Sequence, residues 1–136
     1  MRKGSHSIFN IQLHIVFVTK YRHKIINEAM LSCIRNTLAR VCEKNKCMIK
    51  EFNGESDHVH VLLDFHPDND LSNLIGSMKS ASSRIVRSEF KEIIDKYYWK
   101  DKFWSDSYCV VSCGGAPLEI IKQYIQSQNS PKNQGD

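Results

Sequence analysis

The chain has 136 residues, 41% hydrophobic and 25% charged, with a formal net charge of +4. That length and balance suit one globular domain with a single core and exclude a disordered chain. The mild positive excess permits a polyanionic partner but does not demonstrate one.

The charge is unevenly placed. No Asp or Glu precedes Glu28, whereas Arg2, Lys3, Lys20, Arg22 and Lys24 all fall in that stretch. The five cysteines (Cys33, Cys42, Cys47, Cys109, Cys113) form no CxxC and are odd in number, so reduced thiols in a cytoplasmic protein are expected rather than a disulfide frame or a Cys-based zinc site. No segment qualifies as a membrane span. Residues 8–18 are apolar but interrupted by Asn10, Gln12 and His14, and read as a strand rather than a signal-peptide core.

In chain order, residues 1–7 look like a flexible basic start. Ile11, Leu13, Ile15 and Phe17 alternate with Gln12, His14, Val16 and Val18, which predicts a first strand. A basic loop over 20–24 follows. Asn27 can cap a helix reaching residue 45, with Leu31, Ile34, Leu38 and Val41 as its core stripe. Residues 47–52 predict a second strand, 53–56 a turn, and 57–65 a third strand closing a hairpin. Asp70 can cap a second helix over 71–90, with Leu71, Leu74, Ile75, Met78, Ala81 and Ile85 inward and Ser80, Ser83, Arg84 and Arg87 on the opposite face. The aromatic and basic run over 97–104 carries no clear period. Residues 108–113 predict a fourth strand, broken by Gly114-Gly115. Pro117 suits the first turn of a last helix over 117–128. The tail, 129–136, is expected to be disordered.

The order β-α-β-β-α-β with an extra terminal helix implies an α+β class. Specifically, it implies a ferredoxin-like (split βαβ) antiparallel sheet with helices on one face, as a single domain over residues 1–128. The other sheet face is left for chemistry.

The third strand carries the strongest chemical signal. Its alternation puts Val59, Val61, Leu63 and Phe65 on one face and His58, His60, Leu62 and Asp64 on the other. Residues two apart on a strand stand about 6.5–7 Å apart, close enough for both imidazoles to converge on one cation. Asp57 and Asp64 are possible ligands or orienting partners. His14 joins this face if the first and third strands are neighbours. Two histidines leave a catalytic cation short of a ligand. Tyr124 and Gln128, four apart on the last helix, share a face with Ile120, while Leu118, Ile121 and Ile125 point another way. Lys20, Arg22 and Lys24, and Arg84 and Arg87, are either solvated or phosphate contacts. Some of the aromatics between 97 and 104 are candidates to stack on unpaired bases.

His58-Val59-His60 followed by Gly114-Gly115-Ala116-Pro117-Leu118-Glu119 and Lys122-Gln123-Tyr124-Ile125-Gln126-Ser127-Gln128 resembles the small HUH transposases with one catalytic tyrosine. These are the transposase A proteins of insertion sequences of the IS-two-hundred / IS-six-oh-five type. The resemblance extends to the first strand and basic loop (residues 14–22) and to the second helix (79–90), nearly the whole chain. It implies cleavage and rejoining of single-stranded DNA at insertion-sequence ends through a 5′-phosphotyrosine. Tyr124 would be the nucleophile, and His58, His60 and Gln128 would hold one divalent metal, Mg²⁺ or Mn²⁺. Imidazole ligands by themselves suit zinc, manganese or nickel better than magnesium. The resemblance further implies DNA contacts from Lys20, Tyr21, Arg22, Lys24, Lys79, Arg84 and Arg87, and recognition of subterminal hairpins. It implies a homodimer whose sites can be composite, with Gly114 and Gly115 as the hinge of the tyrosine helix. The rival readings are a replication-initiator or relaxase nickase, a domesticated relative acting on palindromes, and a ferredoxin-like nucleic-acid-binding module without catalysis.

Overall fold

The computed structural model describes residues 2–3, 8–113 and 117–128. The elements are β1 (Arg2–Lys3), β2 (Ile8–Phe9), β3 (Gln12–Val18), α1 (Glu28–Lys44), β4 (Met48–Gly54), β5 (His58–Asp64), α2 (Leu71–Glu89), α3 (Lys91–Ile94), β6 (Cys109–Ser112) and α4 (Pro117–Ser127), with a 3-10 turn at Lys20–Arg22. The tail over 129–136 and the Gly114-Gly115 hinge expected above lie outside the described residues.

β3 and β5, the two strands with the cleanest alternation, pair antiparallel at the centre of a four-stranded sheet ordered β4-β5-β3-β6. That is the ferredoxin-like order, with the first and third strands of the motif side by side. Leu13, Ile15 and Phe17 of β3 and Val59, Val61 and Leu63 of β5 form one apolar face. They are buried under Met30, Ile34 and Leu38 of α1 and Leu74, Ile75 and Met78 of α2. Each such side chain contributes about 1.5–3 kcal/mol of burial, which fixes both helices to this face. The helix starts follow their expected caps: the Met30 amide donates to Asn27 Oδ1 at 2.8 Å and the Asn73 amide to Asp70 Oδ1 at 3.0 Å.

Several expectations are corrected. Residues 1–7 are not wholly a loose start, because β1 pairs with β2, Arg2 opposite Phe9 and Lys3 opposite Ile8. β4 continues through Asn53 and Gly54, which pair with His60 and Val59, so the turn is tighter than 53–56. At Gly54 a Cβ would meet the tip of the Leu31 side chain of α1, so a larger residue would make that leucine shift. On α2, Ser82, Ser83 and Val86 are buried while Ala81 and Ile85 are only half-buried. The cause is Trp104, a buried indole whose Nε1 donates to Ser82 Oγ at 2.9 Å. The aromatic run divides likewise: Tyr98, Phe103 and Trp104 enter the core, while Trp99 remains 84% exposed. No helix among the described residues is long and apolar enough to cross a membrane.

Candidate active site

The second sheet face carries His14, Val16 and Val18 of β3 and His58, His60 and Leu62 of β5, with Val16 opposite His60 and Val18 opposite His58. His58 is oriented from behind. Its Nδ1 lies 2.9 Å from Asp57 Oδ1, and Arg22 Nε donates to Asp57 Oδ2 at 3.2 Å. Burial alone would raise the Asp57 carboxyl. The hydrogen bonds from His58 and Arg22, with their charges, take it below the ordinary carboxylate range. The chain Arg22–Asp57–His58 leaves His58 Nε2 as the nitrogen available for a ligand, the arrangement that fixes tautomer and ring in metal-binding histidines.

Arg22 reaches Asp57 through an unusual backbone. Tyr21 and Arg22 both have positive φ, 61° and 58°, in a region that costs non-glycine residues about 1–2 kcal/mol. The surrounding bonds hold the turn there. Thr19 Oγ1 donates to the His23 carbonyl at 2.7 Å, the Lys20 amide to the Phe103 carbonyl at 2.8 Å, and the Tyr98 hydroxyl to the Lys20 carbonyl at 2.6 Å. Arg22, expected as a DNA contact, is here engaged in orienting His58.

His14 does join this face. Its Nδ1 lies 2.8 Å from His60 Nε2 and the two rings stack with centroids 5.0 Å apart. Burial, then the neighbouring His14 and His58, lowers the His60 pKa and keeps the imidazole neutral, the form with a lone pair to give. Among the described residues no three His, Cys, Asp or Glu side chains gather as a metal cluster. A cation at His58 and His60 therefore needs a donor of another kind.

α4 supplies one. It packs on this same face, with Ile121 buried against Val16, Val18 and Cys109, and with Tyr124 and Ile125 half-buried beside it. This corrects the expected stripe. Leu118 is 71% exposed and Ile120 46% exposed, whereas Ile121, Tyr124, Ile125 and Gln128 form the inward edge. The spacing i, i+3, i+4, i+7 from Ile121 makes that edge one helical face. The Tyr124 hydroxyl is hydrogen-bonded to Ser107 Oγ at 2.7 Å, and Ser105 Oγ donates to Gln128 Oε1 at 3.1 Å. Burial pushes the Tyr124 phenol above its ordinary pKa, and the Ser107 hydrogen bond offsets part of that rise. His58, oriented by a carboxylate, and His60, paired with His14, thus stand on the sheet face that α4 covers, while the Gln128 amide oxygen accepts from Ser105 Oγ; imidazole and amide oxygen are donor types that divalent cations accept.

The remaining expected contacts lie on the basic loop after β3 and on α2, the helix that covers the opposite sheet face. Lys79, Ser80, Ser83, Arg84, Arg87, Lys102 and Trp104 line an open cleft of about 350 Å³. Arg87 is steadied by Ser83 Oγ at 3.0 Å and by Asp101 at 2.9 Å, and Lys20 pairs with Asp106 at 3.1 Å. Lys79 is turned inward, donating to the Ser105 carbonyl at 2.7 Å. Tyr21 is 37% exposed beside Lys20, and Lys24 is exposed on the same loop. Sequence reasoning missed Ser105 and Ser107, which belong to no motif.

The sequence profile of the family described as "Transposase IS200 like" matches residues 7–128. The chain is 25% identical over 129 residues to the ISDra2 transposase TnpA of Deinococcus radiodurans, covering 95% of this chain and 91% of that protein. It is 29% identical over 132 residues to the transposase for insertion sequence element IS200 of Salmonella typhimurium, covering 97% and 86%. A crystal structure of a transposase from Deinococcus radiodurans superposes with a TM-score of 0.87 at 26% identity, over 96% of this chain and 99% of that one. A REP-associated tyrosine transposase bound to a REP hairpin shares the fold, with a TM-score of 0.59 at 9% identity over 94% and 70%.

Proposed function

The chain belongs to the IS200-like transposase family, and on that premise we propose that it cleaves and rejoins single-stranded DNA at insertion-sequence ends, with Tyr124 as nucleophile. The observation that carries this reading is the placement of α4. Its inward edge presents Tyr124 and Gln128 to the sheet face that bears His14, His58 and His60.

The chemistry follows from the residue types. A phenol has a pKa of about 10, so Tyr124 gives its proton to solvent before attack. The phenolate oxygen then bonds to the scissile phosphorus, the bond to the 3′ oxygen breaks, and that oxygen takes up a proton. The products are a 5′-phosphotyrosine and a free 3′-OH. A phenolate leaves more readily than an alkoxide, so a second 3′-OH can displace Tyr124 and reseal the strand without ATP. His58, His60 and Gln128 would hold the Mg²⁺ or Mn²⁺, which supplies charge neutralisation at the phosphate when bound. Asp57 and Arg22 keep His58 in register, and burial keeps His60 neutral. Arg84, Arg87 and Lys102 offer the DNA cations for phosphates. Hairpin recognition rests on the family resemblance and is the partner we expect. A reducing, cytoplasmic setting agrees with the lack of any disulfide among the five cysteines.

Incubation with single-stranded DNA from the element's own ends and Mg²⁺ or Mn²⁺ should leave a denaturation-resistant protein–DNA adduct. No adduct from native protein with the correct ends would sink the reading. An undiminished adduct from Tyr124→Phe would sink the nucleophile. An adduct that never rejoins to a second end would move the activity to a nickase. We further propose a homodimer, supported by the exposed apolar edge of α4 at Leu118 and Ile120. Packing of α4 on β3 and β6 of its own chain favours sites assembled within one subunit. Verified heterodimers of Tyr124→Phe and His60→Ala chains should then stay inactive, and rescue would assign the helix to the partner's site.

A further inference from the structure

Tyr124 of α4 and Gln128, the residue just past its end, are four apart, about 6 Å by helix rise. Both meet the same short loop. Ser107 Oγ is 2.7 Å from the Tyr124 hydroxyl, and Ser105 Oγ donates to Gln128 Oε1 at 3.1 Å. Asp106, between them, turns away to Lys20 at 3.1 Å. The loop does not depend on α4 for its shape. The Ser105 amide donates to the Val18 carbonyl at 2.7 Å, continuing the bridge between Thr19 and Trp104. Lys79 Nζ donates to the Ser105 carbonyl at 2.7 Å and the Ser107 carbonyl at 3.4 Å, and Trp104 is pinned to Ser82. A half-buried ammonium held by two backbone carbonyls resists rearrangement, because letting go would leave both ends of the contact partly desolvated.

We propose that Ser105 and Ser107 form a two-point cradle that presets the reacting side chains of α4. Ser107 holds the Tyr124 hydroxyl and donates to its oxygen as the phenolate attacks and later leaves. Ser105 aims the Gln128 amide oxygen. Lys79 fixes the loop that carries both serines. The proposal rests on the nucleophile and ligand assignments above, so it deepens that reading. It adds residues in direct contact with the reacting oxygen and with the proposed ligand. The loop side chain is a hydroxyl in both cases because a hydroxyl donates to a phenolate or to an amide oxygen without bringing a charge of its own.

The test uses full-length protein carrying ¹³Cζ-tyrosine, with Tyr124→Phe identifying the Tyr124 resonance. Ser107→Ala should move that resonance and slow adduct formation at saturating DNA about tenfold, the loss expected of one hydrogen bond. DNA affinity should be unchanged, and Ser107→Thr should restore both readouts. Ser105→Ala should leave the Tyr124 resonance in place and raise the Mn²⁺ concentration for half-maximal rate about tenfold. An unmoved Tyr124 resonance in Ser107→Ala overturns the cradle, as does a rate loss that Ser107→Thr fails to recover. If wild-type protein forms no adduct, the cleavage reading falls by itself, and the resonance still decides whether the serine holds the phenol.

Discussion

Replacing Asp57 by Asn tests how the sheet orients His58, the proposed metal ligand. The carboxylate stands between two donors, His58 at 2.9 Å and Arg22 at 3.2 Å, and its side chain is only 10% exposed. Asp57→Asn keeps the size and leaves one oxygen to accept, but removes the charge. The backbone of residue 57 is held separately, since the Thr19 amide donates to its carbonyl at 2.9 Å. The strand should therefore stay in register while His58 loses the carboxylate that orients its ring and Arg22 loses its counter-charge. A hydrogen bond to a charged group is worth about 1.5–3 kcal/mol, which bounds the loss of stability. Loss of an orienting carboxylate weakens metal binding by about 10–100-fold, or roughly 1.4–2.7 kcal/mol. Mn²⁺ titration followed by the electron paramagnetic resonance of the free ion measures this directly, with His58→Ala as the reference for complete loss of the ligand. Unchanged Mn²⁺ affinity in a folded Asp57→Asn protein would refute the orienting role. The acid limb provides a second check. The folded carboxyl titrates below its unfolded value, so its contribution is complete above about pH 5 and fades as pH falls through the folded pKa. Wild type should lose more stability on acidification than Asp57→Asn.

Because burial raises the Tyr124 phenol, adduct formation should accelerate about tenfold per pH unit through the neutral range while DNA affinity stays flat; a pH-independent rate under single-turnover conditions would contradict attack by a phenolate. Tyr21→Gly relieves a positive φ and should leave stability unchanged or raise it by about 1 kcal/mol, whereas single-strand affinity should fall by about 1–3 kcal/mol if the exposed ring stacks on a base. Thermal melts and fluorescence anisotropy separate the two effects. Arg84→Ala and Arg87→Ala should each reduce the slope of log affinity against log salt by about 0.7, the single-strand value for one phosphate contact. An unaltered slope would leave the cleft outside the DNA path.

How much was legible in the sequence depended on whether a residue belonged to a period. His58 and His60 were placed correctly on one face because a strand has period two and the flanking Val59, Val61 and Leu63 admit only one register. Asn27 and Asp70 were legible as caps because capping is a local bond to the amide three residues on. The stripe of α4 was not. Leu118, Ile120, Ile121 and Ile125 are all apolar, and the choice among them depends on which face meets Val16 and Val18, a tertiary fact. Tyr124 was placed away from the stripe for the same reason. Ser83 reads as solvent-facing, but α2 turns it inward along with Ser82, which accepts from the buried Trp104 indole.

The residues around the reacting groups were the least legible, for a physical reason. Arg22, Ser105 and Ser107 act through single hydrogen bonds between segments far apart in sequence, and a single bond leaves no periodic trace. Arg22 reads as one more basic residue in a basic loop; only its left-handed backbone and the Asp57 carboxylate beneath it separate orienting His58 from contacting phosphate. The strain has a structural logic. Two consecutive non-glycine residues at positive φ would relax if the turn were free, but the Thr19 amide donates to the Asp57 carbonyl, the Lys20 amide to the Phe103 carbonyl and the Tyr98 hydroxyl to the Lys20 carbonyl, which ties it to other segments. The same local structure thus fixes both edges of the site. Thr19 and Val18 anchor the loop that meets Tyr124, and the turn that follows them carries the guanidinium that orients His58. A perturbation at this corner should therefore disturb the tyrosine and the histidines together, even though they stand on separate elements.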